Sequence, residues 1–225
     1  MQQFKKYLNM KKIFSTQEPL ISLHIPKCAG QSLALSVWEL NNKGFATFPY
    51  YPEVGLHLPV KWNVPNVIIH GHFVRWKGFG IEAICPEARQ FTTVIRDPFD
   101  VIVSGYFYGL QNKLEWAVNS NLNAFMDWWI DSGNTPLTGS LPSIWGVNSV
   151  SEYADKFVLI GVVDYLDSYV DQLGKILNTK LQPPLKVNHS IYSQKIPDRR
   201  SEFRQAMPFD FDFYDYVLDK YRSGE

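Results

Sequence analysis

The stretch ISLHIPKCAGQSLALSVWEL, residues 21–40, decides the fold of this chain. It begins with an apolar run, passes through a Pro-Lys-Cys-Ala-Gly turn and continues in a pattern typical of a helix. We predict a strand over residues 20–25 and a helix over 32–40. The first N–H groups of such a helix are unpaired and lie at the positive end of its dipole, so this turn is predicted to face an anion.

Length and charge limit the classes of protein that this chain can represent. The chain has 225 residues, which suits one domain over 1–225. Its 45% hydrophobic content is enough for a full core. Lys+Arg and Asp+Glu balance at 22 each, so the overall positive charge of a nucleic-acid-binding protein is missing.

The two cysteines, Cys28 and Cys85, are too few for a disulfide framework and lack the spacing of a metal site. The basic N-terminal stretch has no apolar core of the kind found in signal peptides. No window approaches the roughly 20 apolar residues of a membrane-spanning helix. We therefore expect a soluble, cytoplasmic protein without a structural metal and without a membrane span.

Short apolar runs alternate with helical patterns along the rest of the chain. Further strands are predicted over 66–70, 91–95 and 157–161, and further helices over 98–110, 166–177 and 210–221. Continuous apolar strands favour a parallel sheet that helices cover on both faces, an α/β fold. We interpret 1–19 as a polar lead-in, 44–65 as a long ordered loop, and 111–150 as an insertion that is aromatic and helical at first.

The turn after the first strand carries the groups that an anion needs. Lys27 supplies a positive charge, Ser32 supplies a hydroxyl, and Gly30 lets the backbone approach a ligand. The nucleotide-binding pattern G-x-x-x-x-G-K-[ST] is missing, so a nucleoside triphosphate with its metal fits this turn poorly. The other interpretation is a structural turn with an exposed lysine.

A second candidate anion site follows the predicted strand 91–95, in the segment RDPFDVIVS. Arg96 ends the strand, and Ser104 lies eight residues later, in a helix that Asp97 caps. Arginine carries a fork of donors that suits a phosphate. The alternative is an arginine that pairs with Asp97 or Asp100 and a serine that only packs.

Together, HIPKCAGQS and RDPFDVIVS resemble the phosphate-binding motifs of sulfotransferases that use 3′-phosphoadenosine 5′-phosphosulfate (PAPS). The HIPK form and the later HGHF are most similar to the branch with heparan sulfate 2-O-sulfotransferase and bacterial carbohydrate-type members. The resemblance covers most of residues 20–221. It implies a P-loop-like three-layer α/β fold, with PAPS as donor and adenosine 3′,5′-bisphosphate (PAP) as product.

The resemblance also implies the contacts of the nucleotide. The first loop would bind the 5′-phosphosulfate, and the arginine and serine would bind the 3′-phosphate. The predicted nucleotide-binding residues are Pro26, Lys27, Cys28, Ala29, Gly30, Gln31, Ser32, Arg96, Ser104 and, in the polar loop 186–200, Asn188. Cys28 and Gln31 depart from the family pattern, which has threonines there. We interpret Cys28 as a small residue that fills the turn, although a thiol beside a lysine can also be reactive.

Sulfuryl transfer needs a base for the acceptor proton and a cation at the leaving oxygen. The similar family places its base in the HGH segment, so we predict His72 as base, with His70 either as its support or as a contact of the acceptor. Glu82 is the alternative base. Lys27 is the predicted cation, and His24 is interpreted as a packed side chain within the first strand.

The predicted function is transfer of a sulfuryl group from PAPS to a hydroxyl of a carbohydrate or another small acceptor. Two other functions stay open: an ATP-dependent small-molecule kinase, and a nucleotide-binding module without activity. Arg75 and Lys77 are candidate contacts for an anionic acceptor or an ordinary surface pair. Aromatic side chains in the irregular segments suit sugar rings or apolar acceptors. No nucleic acid or metal is expected to bind, and the oligomeric state is not predicted.

Overall fold

The computed structural model describes residues 14–185 and 195–224. Five parallel strands form its central sheet in the order β2-β3-β1-β4-β5. The strands are β1 (Leu20–Leu23), β2 (Ala46–Tyr50), β3 (Val67–Gly71), β4 (Gln90–Ile95) and β5 (Phe157–Val162). Every residue of β1, β3, β4 and β5 is buried, as expected for strands that are covered on both faces.

Helices lie on both faces of the sheet, so the predicted three-layer α/β class is confirmed. The helices are α1 (Gly30–Trp38), α2 (Ile81–Ile84), α3 (Pro98–Gln111), α4 (Glu115–Val118), α5 (Leu122–Ser132), α6 (Val150–Ala154), α7 (Leu166–Ile176), α8 (Arg200–Ala206) and α9 (Pro208–Ser223). On one face, α1 and α7 pack against the sheet, and on the other face α6 and α9 do so. None of the helices in the described part is long and apolar enough to cross a bilayer.

The strand order places two loops side by side at one edge of the sheet. Strands β1 and β4 are parallel neighbours, so their carboxyl ends meet at the same edge. The connection after β1 runs toward β2, whereas the connection after β4 runs toward β5, on the other side of the sheet. Ligands of open α/β sheets bind in the crevice at such a switch point.

Strand β2 corrects the interpretation of residues 44–65 as a loop. It is an edge strand that pairs with β3 alone and contains Pro49. Proline is tolerated at a sheet edge, and an edge strand needs no continuous apolar run, so the pattern of a buried strand is missing from this segment. Short helices α2, α6 and α8 were also not predicted.

Candidate active site

The turn between β1 and α1 has an unusual backbone. Lys27 and Ala29 both have positive φ angles, 69° and 58°, whereas Cys28 between them does not. The Cys28 N–H donates to the carbonyl of Ile25 at 3.1 Å and closes the turn. Alternation of right- and left-handed residues directs successive N–H groups into one concavity, which is a known anion-binding arrangement. The backbone of the predicted anion turn, residues 26–32, is therefore compatible with an anion site.

The side chains of this turn differ widely in exposure. Cys28 is 1% exposed, and burial raises the pKa of its thiol to about 12. It fills the turn as a buried side chain, and the reactive-thiol interpretation does not fit. Ser32 is 5% exposed, whereas Gln31 is exposed at the start of α1. Lys27 is half-buried and holds its Nζ 3.9 Å from the ring centroid of Tyr108.

The backbone at Gly30 leaves no room for a side chain, because the ring of His24 lies against it. A Cβ atom at this position would lie 1.8 Å from Cδ2 and 1.9 Å from Nε2 of His24. The imidazole ring of His24 therefore packs directly on the backbone at the start of α1. This contact joins the anion turn to the histidines described below.

Arg96, at the end of β4, lies close to Lys27. Burial lowers the pKa of Lys27, and the charge of Arg96 lowers it further. Within residues 14–185 and 195–224, neither cation forms an ion pair with a carboxylate. The two cations therefore repel each other across the crevice between β1 and β4, and an anion between them would relieve that repulsion.

Arg200, and not Arg96, forms ion pairs with Asp97 and Asp100. Its guanidinium pairs with Asp97 and, at 3.1 Å, with Asp100. Asp97 also caps α3 as predicted, because its side chain accepts from the Asp100 N–H at 3.2 Å. Ser104 lies within α3 and is 2% exposed. Asn188 lies outside the described residues, so its predicted contact stays a prediction.

His70, at the end of β3, is fully buried. Its Nδ1 is 2.9 Å from the hydroxyl of Ser22, the residue opposite it on β1. Its ring stacks on that of His24, with 5.3 Å between centroids and 10° between planes. Burial lowers the pKa of His70 to about 4, although the nearby Gly30 carbonyl favours the protonated form. His70 is therefore neutral at neutral pH.

His72 lies one residue beyond β3 and has two different ring nitrogens. Its Nδ1 forms a short hydrogen bond with Oε1 of Glu53. Its Nε2 is buried, and no donor or acceptor among the described residues reaches it. Burial lowers the pKa of His72, and the hydrogen bond and charge of Glu53 offset part of that effect. A neutral imidazole with an unused nitrogen is the form that a general base needs.

Three further residues lie around His70 and His72 and were not predicted there: His24, Tyr51 and Glu53. The Tyr51 hydroxyl is 3.1 Å from His24 Nδ1, and the His24 ring centroid lies 4.5 Å from that of His72. The available sequence signal was the Pro-Glu-Val-Gly turn, which directly follows the FPYY run at 48–51 where β2 ends. We assigned that run to a loop, and the signal was lost with it.

Arg75 and Glu82 contact each other and a neighbouring loop. The Arg75 guanidinium donates to the carbonyls of Thr138 at 3.3 Å and Leu141 at 2.8 Å. Glu82 accepts a hydrogen bond from the Ser143 N–H and lies 3.8 Å from Arg75. Arg75 and Glu82 thus both form hydrogen bonds with the segment 138–143.

The tryptophans of the irregular segments form a partly exposed aromatic group. The ring centroid of Trp129 lies 5.7 Å from that of Trp76 and 5.4 Å from that of Trp128. Trp145 stands apart and is 91% exposed. Across residues 14–185 and 195–224, no set of three or more acidic, histidine or cysteine side chains is arranged to hold a metal ion.

Comparison with known proteins adds one solved structure to this description. The chain is similar to mouse sulfotransferase SULT7A1 complexed with PAP, at 13% sequence identity and a TM-score of 0.48. The match covers 88% of this chain and 66% of that one, so this chain spans slightly less than two thirds of that length. No protein-family model and no curated protein matches the chain.

Proposed function

We propose that this protein is a PAPS-dependent sulfotransferase that moves a sulfuryl group to the hydroxyl of a carbohydrate or another small acceptor. The observation that carries the proposal is the pair of Lys27 and Arg96, two cations on neighbouring strand ends that have no carboxylate partner among residues 14–185 and 195–224. A donor with one phosphate group at each end suits two cations that belong to separate loops. The sequence motifs around both residues point to the same donor.

The residues of the two loops fit the two ends of this donor. The concave backbone at Lys27–Ala29 would hold the 5′-phosphosulfate, with N–H groups in place of the hydroxyls that Cys28 and Gln31 do not supply. Arg96 and Ser104 would hold the 3′-phosphate. We keep Asn188 as a proposed contact to the nucleotide. PAPS supplies the sulfuryl group, and PAP is the product.

His72 is the proposed catalytic base, and Lys27 is the proposed cation at the leaving oxygen. The acceptor oxygen forms a bond to sulfur as the bond from sulfur to the phosphate oxygen breaks. His72 Nε2 takes the proton of the acceptor hydroxyl, and Lys27 offsets the charge that stays on the phosphate. His70 contributes by its packing against the ring of His24.

The experiment is an assay with sulfur-labelled PAPS and a panel of sugar and small-molecule hydroxyl acceptors. We expect labelled product with at least one acceptor. We expect His72→Ala to lower turnover about 100-fold or more while PAP binding is retained, because a positioned general base contributes about 10²–10⁴-fold. Phosphoryl transfer from ATP·Mg would indicate a kinase instead. PAP binding without turnover would indicate a nucleotide-binding module.

A further inference from the structure

A carboxylate binds one nitrogen of the His72 ring and leaves the other nitrogen for a reactant. Glu53 Oε1 is hydrogen-bonded to Nδ1, and Nε2 has no partner in the described part of the chain. A ring nitrogen that donates to a carboxylate must carry the proton, so the opposite nitrogen keeps its lone pair. Glu53 therefore selects the tautomer in which Nε2 accepts protons.

The backbone around Glu53 fixes its position relative to His72. Residues 51–56 form a closed turn directly after β2, in which the N–H of Tyr51 donates to the Leu56 carbonyl at 2.9 Å and the Leu56 N–H donates back at 3.1 Å. Gly55 completes the turn with a φ of 80°. The His72 N–H donates to the Tyr50 carbonyl at 2.9 Å, so the ends of β2 and β3 are joined.

Several titratable groups surround this pair. His24 and Tyr51 face the His72 ring at centroid distances of 4.5 and 4.8 Å. The charge of Lys77 lowers the pKa of His72, which burial lowers first and Glu53 raises in part. Burial raises the pKa of Glu53, but hydrogen bonds from His72 and from the backbone, together with the charges of His72 and Lys77, outweigh burial, so the net pKa is lowered. Glu53 is therefore ionised at neutral pH.

We propose that Glu53 is a positioning residue, which orients His72 and keeps its Nδ1 protonated so that Nε2 can take the acceptor proton. This inference rests on the proposed function for its catalytic meaning. The tautomer itself does not depend on that function. A residue that only stabilised the 51–56 turn would affect neither the tautomer nor the pH dependence of turnover.

The first test is nitrogen NMR of protein with ¹⁵N-labelled histidine, in which His72→Ala assigns the His72 signals. The wild type should show Nδ1 protonated and Nε2 unprotonated at pH 8. Glu53→Gln should keep this tautomer, because an amide oxygen still accepts from Nδ1. Glu53→Ala should lose it, with the proton found mainly on Nε2. Unchanged His72 signals in Glu53→Ala would overturn the proposal.

The second test uses turnover with PAPS and an active acceptor. Glu53→Ala should lower kcat about 10–100-fold, the usual cost when a group that orients a catalytic histidine is removed, with little change in KM for PAPS. In Glu53→Gln the acidic limb of the pH profile of kcat/KM should move to lower pH, because the charge that raises the pKa of His72 is gone. A profile and kcat equal to those of the wild type would overturn the catalytic role.

The matched control is Glu87→Gln, since Glu87 is another exposed glutamate that accepts one side-chain hydrogen bond, from Asn63 at 2.6 Å. It should leave the NMR signals, kcat and pH profile unchanged. If no acceptor gives turnover, the proposed function fails, and NMR alone then decides whether Glu53 sets the tautomer. Melting curves of all variants show that differences arise in folded protein.

Discussion

Replacement of Gly71 by alanine should destabilise the protein strongly, because this residue has no room for a side chain. A Cβ atom there would lie 1.8 Å from the carbonyl oxygen of Tyr50 and 2.5 Å from its carbonyl carbon. Contacts of real Cβ atoms essentially never fall below 3.0 Å. The ends of β2 and β3 would therefore have to separate by about 1.2 Å, an overpacking strain that falls on backbone atoms.

This separation would also break a hydrogen bond. The Tyr50 carbonyl accepts from the His72 N–H at 2.9 Å, and this bond joins the two strand ends that would move apart. Overpacking costs about 1–3 kcal/mol, and a buried polar group left unpaired costs a similar amount. We expect a loss of about 3 kcal/mol in the free energy of unfolding, or roughly 6–12 °C in Tm for a chain of this length.

Thermal unfolding followed by circular dichroism, together with urea titration, measures this loss. The matched control is Gly105→Ala in α3, where a new Cβ would meet nothing within 4 Å. Alanine is the better helix former, so this control should be more stable by about 0.5–1 kcal/mol. A Gly71→Ala protein that melts within about 1 °C of the wild type would refute the close approach of the two strands.

Other predictions concern buried groups away from the histidines. Asp210 is buried and accepts three hydrogen bonds from Leu137–Thr138, so Asp210→Ala should cost about 2–5 kcal/mol in urea titration, whereas Asp212→Ala at an exposed position should cost little. Burial favours the protonated carboxyl of Asp210 and raises its pKa from 3.8 to about 6. The stability that is linked to this proton should be fully present below pH 3.8 and lost as pH rises through about 6. An Asp210→Asn protein that keeps the wild-type slope of stability against pH in this window would contradict this. Burial raises the pKa of both Cys28 and Cys85 to about 12, so neither thiol should react with a disulfide reagent at pH 8 until the protein unfolds. Rapid reaction of either thiol in the folded protein would show that it is accessible.

The parts of the fold that the sequence predicted are those where burial leaves a simple pattern. Strands β1, β3, β4 and β5 are buried along their whole length because both of their faces are covered, and most of their residues are apolar. Helix α3 carries a capping aspartate and a proline at its start, and its predicted range, 98–110, differs from the observed one by a single residue. Strand β2 has only one neighbour and mixed exposure, so no such pattern marks it.

The site was predicted in part for the same reason. Lys27 and Arg96 each follow a recognisable strand, so their meeting at one edge of the sheet followed from topology. Glu53 contacts His72 only because β2 pairs with β3 and the chain then turns back. That contact depends on the strand that was missed, so the turn around Glu53 could not be connected with the HGH segment.

The central claim is that Lys27 and Arg96 bind opposite ends of one nucleotide, and calorimetric titration with two ligands tests it most directly. Adenosine 3′,5′-bisphosphate carries the 3′-phosphate, and adenosine 5′-phosphosulfate lacks it. Arg96→Ala should weaken the first by about 10–100-fold, the value of a charge-assisted hydrogen bond, and leave the second nearly unchanged. Lys27→Ala should weaken both. Equal losses for the two ligands in Arg96→Ala would contradict the claim.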